Sequence, residues 1–267
     1  MKKLTALLLG AAMALSLAAC GSTAAVEETA STEGAAGEAA AVTTVTEGVL
    51  TMSTNAAFPP YEMTADDGSF EGIDIEVAAA IADKLGLELQ VDDMDFDAAL
   101  LAAQTGKSDM VMAGVTVTED RQTVMDFSDT YANGIQVVIV PGDSAIATID
   151  DLQGKMIGVQ RGTTGDTYCS DDFGEDNVIK YDNGLTAVQA LMNGQVDAVV
   201  IDNAPAQEFV EANPGLKILD TEYANEEYAI GVAKGNTQLL DAINGALAEL
   251  TEDGTIQSIV NKYITAE

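Results

Sequence analysis

From Val49 onward, apolar positions follow two alternating rhythms. Short apolar runs alternate with amphipathic stretches, the pattern of an α/β fold. Residues 49–53 read as a strand. Val77, Ile81 and Leu85 follow at i, i+4 and i+8, one face of a helix, and Gly86 stands where it stops. Asp74 is placed to cap that helix, with Glu76 in its first turn. A second strand is predicted over residues 87–91 and a helix over residues 97–105. Gly106-Lys107-Ser108-Asp109 then leads into a strand over residues 110–113. The same unit recurs 88 residues later: a helix over residues 187–193, Gly194-Gln195-Val196-Asp197, and a strand over residues 198–201. Two related half-structures explain this most simply, against a coincidence of helix-stop chemistry over four residues. Residues 135–140 and 227–233 are extended apolar runs without helical partners, placed to cross between two lobes. Helices over residues 239–250 and 255–264, broken at Gly254, end the pattern.

Before Val49 the chain reads differently. Lys2 and Lys3 precede a 16-residue apolar run over residues 4–19, short of the about 20 that span a bilayer. The run ends in small residues, which predicts a cleaved secretion signal over residues 1–19 rather than a retained anchor helix. Leu17-Ala18-Ala19-Cys20-Gly21 resembles the bacterial lipobox. That resemblance implies a lipidated Cys20 and anchorage to the cell membrane from outside the cytoplasm, against an ordinary signal with an incidental Cys. Residues 20–46 are rich in Ala, Thr, Glu, Gly and Ser, too poor in large apolar groups to fold, and predict a flexible tether. No later stretch is long and apolar enough to span a membrane.

Charge narrows the function further. The net charge of the 267 residues is −33. Without residues 1–19, 9 basic residues face 44 acidic ones, a net −35. Such a chain repels phosphate, so nucleic-acid binding is excluded as a reading. The absence of His removes the commonest general base and metal ligand. Besides Cys20 only Cys169 remains, giving no internal disulfide and no zinc site; it reads as a small buried residue. Neither a cofactor nor a metal is expected.

Beyond the signal there are two Arg, Arg121 and Arg161. Arg121 follows a strand and Thr118, a candidate N-cap. Strand C-termini in open α/β sheets face the ligand crevice, where an Arg can grip a carboxylate through two parallel bonds. Spacing alone leaves a surface Arg paired with neighbouring acids equally open. Asp202 ends a strand and can hold an ammonium group, although by sequence alone a helix N-cap at Ala204 is the better reading. Gly162-Thr163-Thr164-Gly165 offers N–H groups and hydroxyls to an anion or carboxylate. It lacks the Lys of a phosphate loop, so a nucleotide fits it poorly.

Seven stretches then carry a resemblance: Ala57-Phe58-Pro59-Pro60-Tyr61-Glu62, Phe70-Glu71-Gly72-Ile73-Asp74-Ile75-Glu76-Val77, Gly106-Lys107-Ser108-Asp109, Thr116-Val117-Thr118-Glu119-Asp120-Arg121, Asp126-Phe127-Ser128-Asp129-Thr130-Tyr131, Gly158-Val159-Gln160-Arg161-Gly162-Thr163-Thr164 and Gly194-Gln195-Val196-Asp197-Ala198. In this order they resemble the extracellular solute-binding proteins of family 3, the substrate-binding proteins of polar amino-acid ABC transporters, from about residue 48 to the end. The resemblance implies a periplasmic-binding-protein-like type II fold, two α/β lobes joined by two hinge strands. Lobe 1 would comprise residues 47–133 and 229–267, and lobe 2 residues 134–228. It further implies that Arg121 binds a ligand α-carboxylate, helped by Thr116 and the backbone at Gly114 and Thr164. Asp202 would bind the α-ammonium from the opposite lobe, with the Gly114 carbonyl assisting. Phe58 and Phe96 match walls of the side-chain pocket. Asn55 matches a position that reads the side-chain end, and Gly72-Ile73-Asp74-Ile75 is explained by structure alone.

These implications describe a monomeric receptor, not an enzyme, that closes on a free amino acid and delivers it to an ABC transporter permease. An amide at Asn55 suits a polar uncharged side chain, glutamine first. Arg161, if it pointed into the cleft, would favour an acidic amino acid instead. A dehydratase on the same fold is the enzyme alternative; it needs an acid placed to protonate a leaving hydroxyl, and none stands out. A signalling sensor would normally carry a membrane span and an output domain.

Overall fold

The computed structural model describes residues 42–264. The first part comprises β1 (Val49–Thr54), β2 (Ala57–Phe58), β3 (Glu62–Thr64), β4 (Phe70–Glu71), α1 (Ile73–Leu85), β5 (Glu88–Asp93), α2 (Phe96–Gln104), β6 (Met110–Val111) and α3 (Glu119–Val124). The long strand β7 (Met125–Pro141) leads into β8 (Ile157–Gln160), α4 (Thr164–Phe173), β9 (Val178–Tyr181), α5 (Gly184–Met192), β10 (Ala198–Asp202), α6 (Asn203–Ala212) and β11 (Leu216–Ile218). A second long strand, β12 (Ala224–Ala233), returns to α7 (Thr237–Glu252) and α8 (Thr255–Tyr263).

The main sheet runs β5-β1-β6-β12-β7-β10-β8-β9, with β11 added on β7, and β2-β3-β4 form a small separate sheet. The pairs of β1 with β5 and β6, and of β8 with β9 and β10, are parallel. These are the sheets of two α/β lobes. Between them β7 and β12 pair antiparallel from Met125–Ala233 to Gln136–Ala224, interrupted by register shifts around Ala229. They are the crossing strands expected near residues 135–140 and 227–233.

Each lobe has its own core. In the first, Leu50 and Met52 pack with Val77 and Ile81 of α1 and with Leu239, Ile243 and Leu247 of α7. The C-terminal helices thus return to the lobe that contains β1. In the second, Val138 and Val140 pack with Leu152 and Cys169 on one face, while Val137 and Ile139 pack with Val188 and Phe209 on the other. A strand covered on both faces reads as a continuous apolar run, as this one does.

The repeated unit is structural in both lobes. Gly106 and Gly194 both take left-handed φ, 68° and 66°. The next N–H groups, of Lys107 and Gln195, return to Ala102 and Ala190 carbonyls. Asp109 accepts Thr51 N–H and Asp197 accepts Met156 N–H, each at 2.8 Å, tying the loop to the start of the neighbouring strand.

Three expectations are corrected. Asp74 does not cap α1: Gly72 is the cap residue, and Asp74 lies inside the first turn, fully buried. The strand expected over residues 110–113 is only Met110–Val111, because the chain turns away at the cleft. The end of the expected tether is docked, not free: Val45 N–H donates to Asp109 Oδ1 at 2.7 Å, and Val42 packs on the first core. The signal, Cys20 and the rest of the tether lie outside the described residues. No helix among the described residues is long and apolar enough to cross a membrane.

Candidate functional site

The C-terminal ends of β1, β6, β8 and β10 converge on one cavity. Parallel strands present such a crevice wherever their carboxyl ends meet. The first lobe supplies Asn55, Phe58, Phe96, Gly114, Thr116 and Arg121; the second supplies Thr163, Thr164 and Asp202. All nine ligand-contact residues expected from the sequence therefore line the same cavity.

Arg121 is positioned by the turn it sits in. Thr118 caps α3 by accepting Arg121 N–H at 3.2 Å, as its position suggested. The side chain folds back so that Nη1 donates to Thr116 O at 2.8 Å, and the guanidinium lies 5.4 Å from the centre of the Phe96 ring. Nη2 reaches across the cleft to Gly162 O at 3.2 Å. Desolvation lowers the Arg121 pKa, opposed by the charge of Glu226. Two of its five N–H groups thus meet carbonyls, and its charge meets no carboxylate within ion-pair distance among the described residues.

Asp202 is both a helix cap and a cavity-lining residue. It caps α6 through Oδ1, which accepts Ala204 N–H at 3.0 Å, and Oδ2 accepts Ile135 N–H from β7 at 2.8 Å. It also lines the cavity, nearly fully buried. Burial pushes its pKa up to about 6, against the lowering effect of those two N–H groups. A buried carboxylate of this kind is stabilised by an arriving cation.

Thr163 caps α4, and with Thr164 it turns the helix N-terminus toward the cavity. That end carries partial positive charge and suits a carboxylate. Asn55 is engaged from two sides. Its Nδ2 donates to Met94 O at 2.9 Å, so Oδ1 faces the other lobe, where Gln160 Nε2 donates to it at 2.9 Å. Together with the Arg121–Gly162 bond, this joins the lobes across the cleft in a closed arrangement.

Other cavity residues were not expected. Glu226 on β12 accepts from Thr116 Oγ1 and from Gln136 Nε2, both at 3.0 Å. Tyr228 packs edge-on to Tyr61, 5.3 Å between ring centres. Glu62 enters from β3. Gln160 lay inside a quoted motif, where its place at the end of β8 was the available signal. Arg161 is absent from the cavity lining: it faces solvent, donating to Lys180 O at 3.1 Å, with Asp182 3.9 Å away. Cys169 is buried in the second core, with its thiol pushed up to about 12 by burial.

The model of the bacterial extracellular solute-binding proteins, family 3, matches residues 50–266. The L-cystine-binding protein TcyJ of Escherichia coli strain K12 is 32% identical, covering 82% of this chain and 84% of its own. A probable histidine-binding protein of Neisseria gonorrhoeae is 34% identical, covering 96% of this chain and 94% of its own. Among solved structures, an ancestral arginine-binding protein bound to glutamine superposes with a TM-score of 0.79 at 42% identity, covering 83% of this chain and 100% of that one. The two-lobed fold with its crossing strands is accordingly the type II binding-protein fold, and the chain belongs to the bacterial extracellular solute-binding proteins, family 3.

Proposed function

We propose that this chain is an extracytoplasmic receptor that clamps a free amino acid between its lobes and delivers it to an ABC transporter permease. The observation that carries the reading is charge placement. The Arg121 guanidinium on one lobe, paired with no carboxylate among the described residues, and the Asp202 carboxylate on the other face one cavity. A zwitterionic ligand carries both opposite charges on one carbon, so only the closed form satisfies both. Differential affinity of this kind shifts an open–closed equilibrium toward closed. The permease would read the closed shape, and no bond is made or broken. In this reading lobe 1 comprises residues 47–133 and 229–267, lobe 2 residues 134–228, and Cys20 anchors a monomer by lipid.

The side chain proposed is polar and uncharged, glutamine first. Asn55 and Gln160 present amides at the cavity, and Arg121 is consumed by the α-carboxylate. Arg161, the residue that would favour an acidic ligand, points away. Ancestral arginine-binding proteins similar to this chain are solved with glutamine and with arginine, which makes arginine the competitor that the test must separate.

The test is calorimetric titration of the refolded, ligand-stripped domain against the twenty amino acids. Tight glutamine binding is expected, unchanged by Arg161→Ala. Preference for glutamate, lost in R161A, would replace glutamine with an acidic ligand; preference for arginine would make the site a cation reader. No binding at all would overturn the receptor reading and turn attention to the substrates of dehydratases.

A further inference from the structure

Behind the cavity stand two acids without a cation beside them. Glu62 on β3 is fully buried and lines the cavity, and neither carboxyl oxygen meets a donor among the described residues. Asp74 in the first turn of α1 is equally buried. Its Oδ2 accepts Gly114 N–H at 3.0 Å, while Oδ1 has no donor. The backbone forces these groups together. Pro60 O and Tyr61 O accept the N–H groups of Ile73 and Asp74 at 3.0 and 2.8 Å. Gly72, at φ 128°, makes this approach feasible, because a Cβ there would collide with the Tyr61 carbonyl. The charged neighbours of Glu62 are acids from three further elements, Asp74, Asp202 and Asp93; the phenols facing it are Tyr61 and, from β7, Tyr131.

Two carboxylates so placed cannot both be ionised. Each bare buried charge costs several kcal/mol, and like charges side by side force one to keep its proton. The proton belongs on Glu62. Asp74 has the Gly114 N–H, the Tyr131 hydroxyl and the positive end of α1 to stabilise its charge, and Glu62 has none of them.

We propose that Glu62 is a neutral carboxylic acid that donates its O–H to Asp74, and that this hydrogen-bonded pair is a positioning device holding Gly114 in the cavity wall. Donation from Glu62 supplies the missing partner of Asp74 Oδ1 and ends the isolation of Glu62 in one step. Gly114, held at φ 55° three residues beyond the end of β6, in turn presents its backbone to the charged end of the ligand. That last step rests on the receptor reading above; the protonation and the pairing do not. In support, burial first and Asp74 second push the Glu62 titration well above the usual carboxylate range, whereas burial raises Asp74 only to about 6. An acid raised in this way leaves stability intact below its unfolded-state titration, about 4.3 for Glu, and removes it as pH rises from there to the folded-state titration.

Three measurements on Glu62→Gln and Glu62→Met test this. Infrared difference spectra of wild type against E62Q near neutral pH should show the C=O stretch of a neutral carboxylic acid that E62Q lacks. As pH rises beyond about 6, where Asp74 and Asp202 have titrated, wild type should go on losing unfolding free energy, and E62Q, whose amide still donates to Asp74, should not. Amino-acid affinity should stay within about threefold in E62Q and fall at least about tenfold in E62M, which removes the Glu62 donation to Asp74. A missing carboxylic-acid band, or damage by E62Q equal to that by E62M, overturns the proposal. Should E62M not fold, the infrared and stability-against-pH measurements on E62Q decide, and both remain decisive even if no amino acid binds.

Discussion

Arg121→Ala is expected to lower amino-acid affinity by about 30- to 1,000-fold while the domain stays folded. The loss corresponds to roughly 2–4 kcal/mol, the range for truncating one partner of a desolvated, hydrogen-bonded charge pair. Two contributions add here: the ligand carboxylate loses its fork, and the cross-cleft bond from Nη2 to Gly162 disappears. Folding should survive because desolvation already works against the guanidinium in the native state. Arg121→Lys separates the contributions. A Lys keeps the charge but cannot offer two parallel donors, so it should recover only part of the affinity. Titration calorimetry with circular dichroism melting checks both; wild-type affinity in R121A would remove the carboxylate grip from the mechanism.

The second large effect is a dependence on pH, with Asp202 as its origin. Before ligand arrives its pKa stands at about 6, raised by burial. The ammonium group of the ligand needs the ionised form. Affinity should therefore be flat above pH about 7 and fall below pH 6 by as much as tenfold per unit, with uptake of one proton by the empty site. Asp202→Asn should weaken binding over the whole range and flatten this acid limb. Because Asn has one acceptor oxygen where Asp202 caps α6 and also holds Ile135 N–H, a stability loss of about 1 kcal/mol should accompany it. Any acid limb persisting in D202N points to Asp74, which titrates in the same range. An affinity unchanged from pH 7 to 5 in wild type would exclude Asp202 as the ammonium partner.

How far the site could be read from sequence depended on the kind of position. Arg121, Thr163 and Asp202 follow strands and carry cap chemistry, and both signals survive in the chain alone. Glu226, Tyr228 and Gln136 belong to crossing strands, where a polar residue facing the ligand looks like any other alternation in a strand. Only the pairing of β7 with β12 aims them at the cavity. Asp74 shows why a locally sound inference fails. An acid just before an apolar helical face suggests a cap, but the helix begins earlier because the Tyr61 carbonyl presses on Gly72 and receives the Asp74 N–H. That contact comes from a segment eleven residues upstream, and no periodicity encodes it.

The crossing strands also set an order of assembly. The segment from the second half of β7 to the start of β12 supplies nearly all of the second core and can collapse as a contiguous piece. The other lobe cannot: β6 receives its outer partner only when Gly231 and Val232 reach Val111 and Met110, and α1 is covered only when α7 arrives. In a chain emerging N-terminus first, from a ribosome or a translocation pore, β6 therefore waits with an unpaired edge for nearly half the length of the protein. Such an edge is a template for pairing with a second chain. Synthesis stalled before Ala224 would expose that edge without its partner, so the last sixth of this protein protects the first lobe from aggregation as well as completing it.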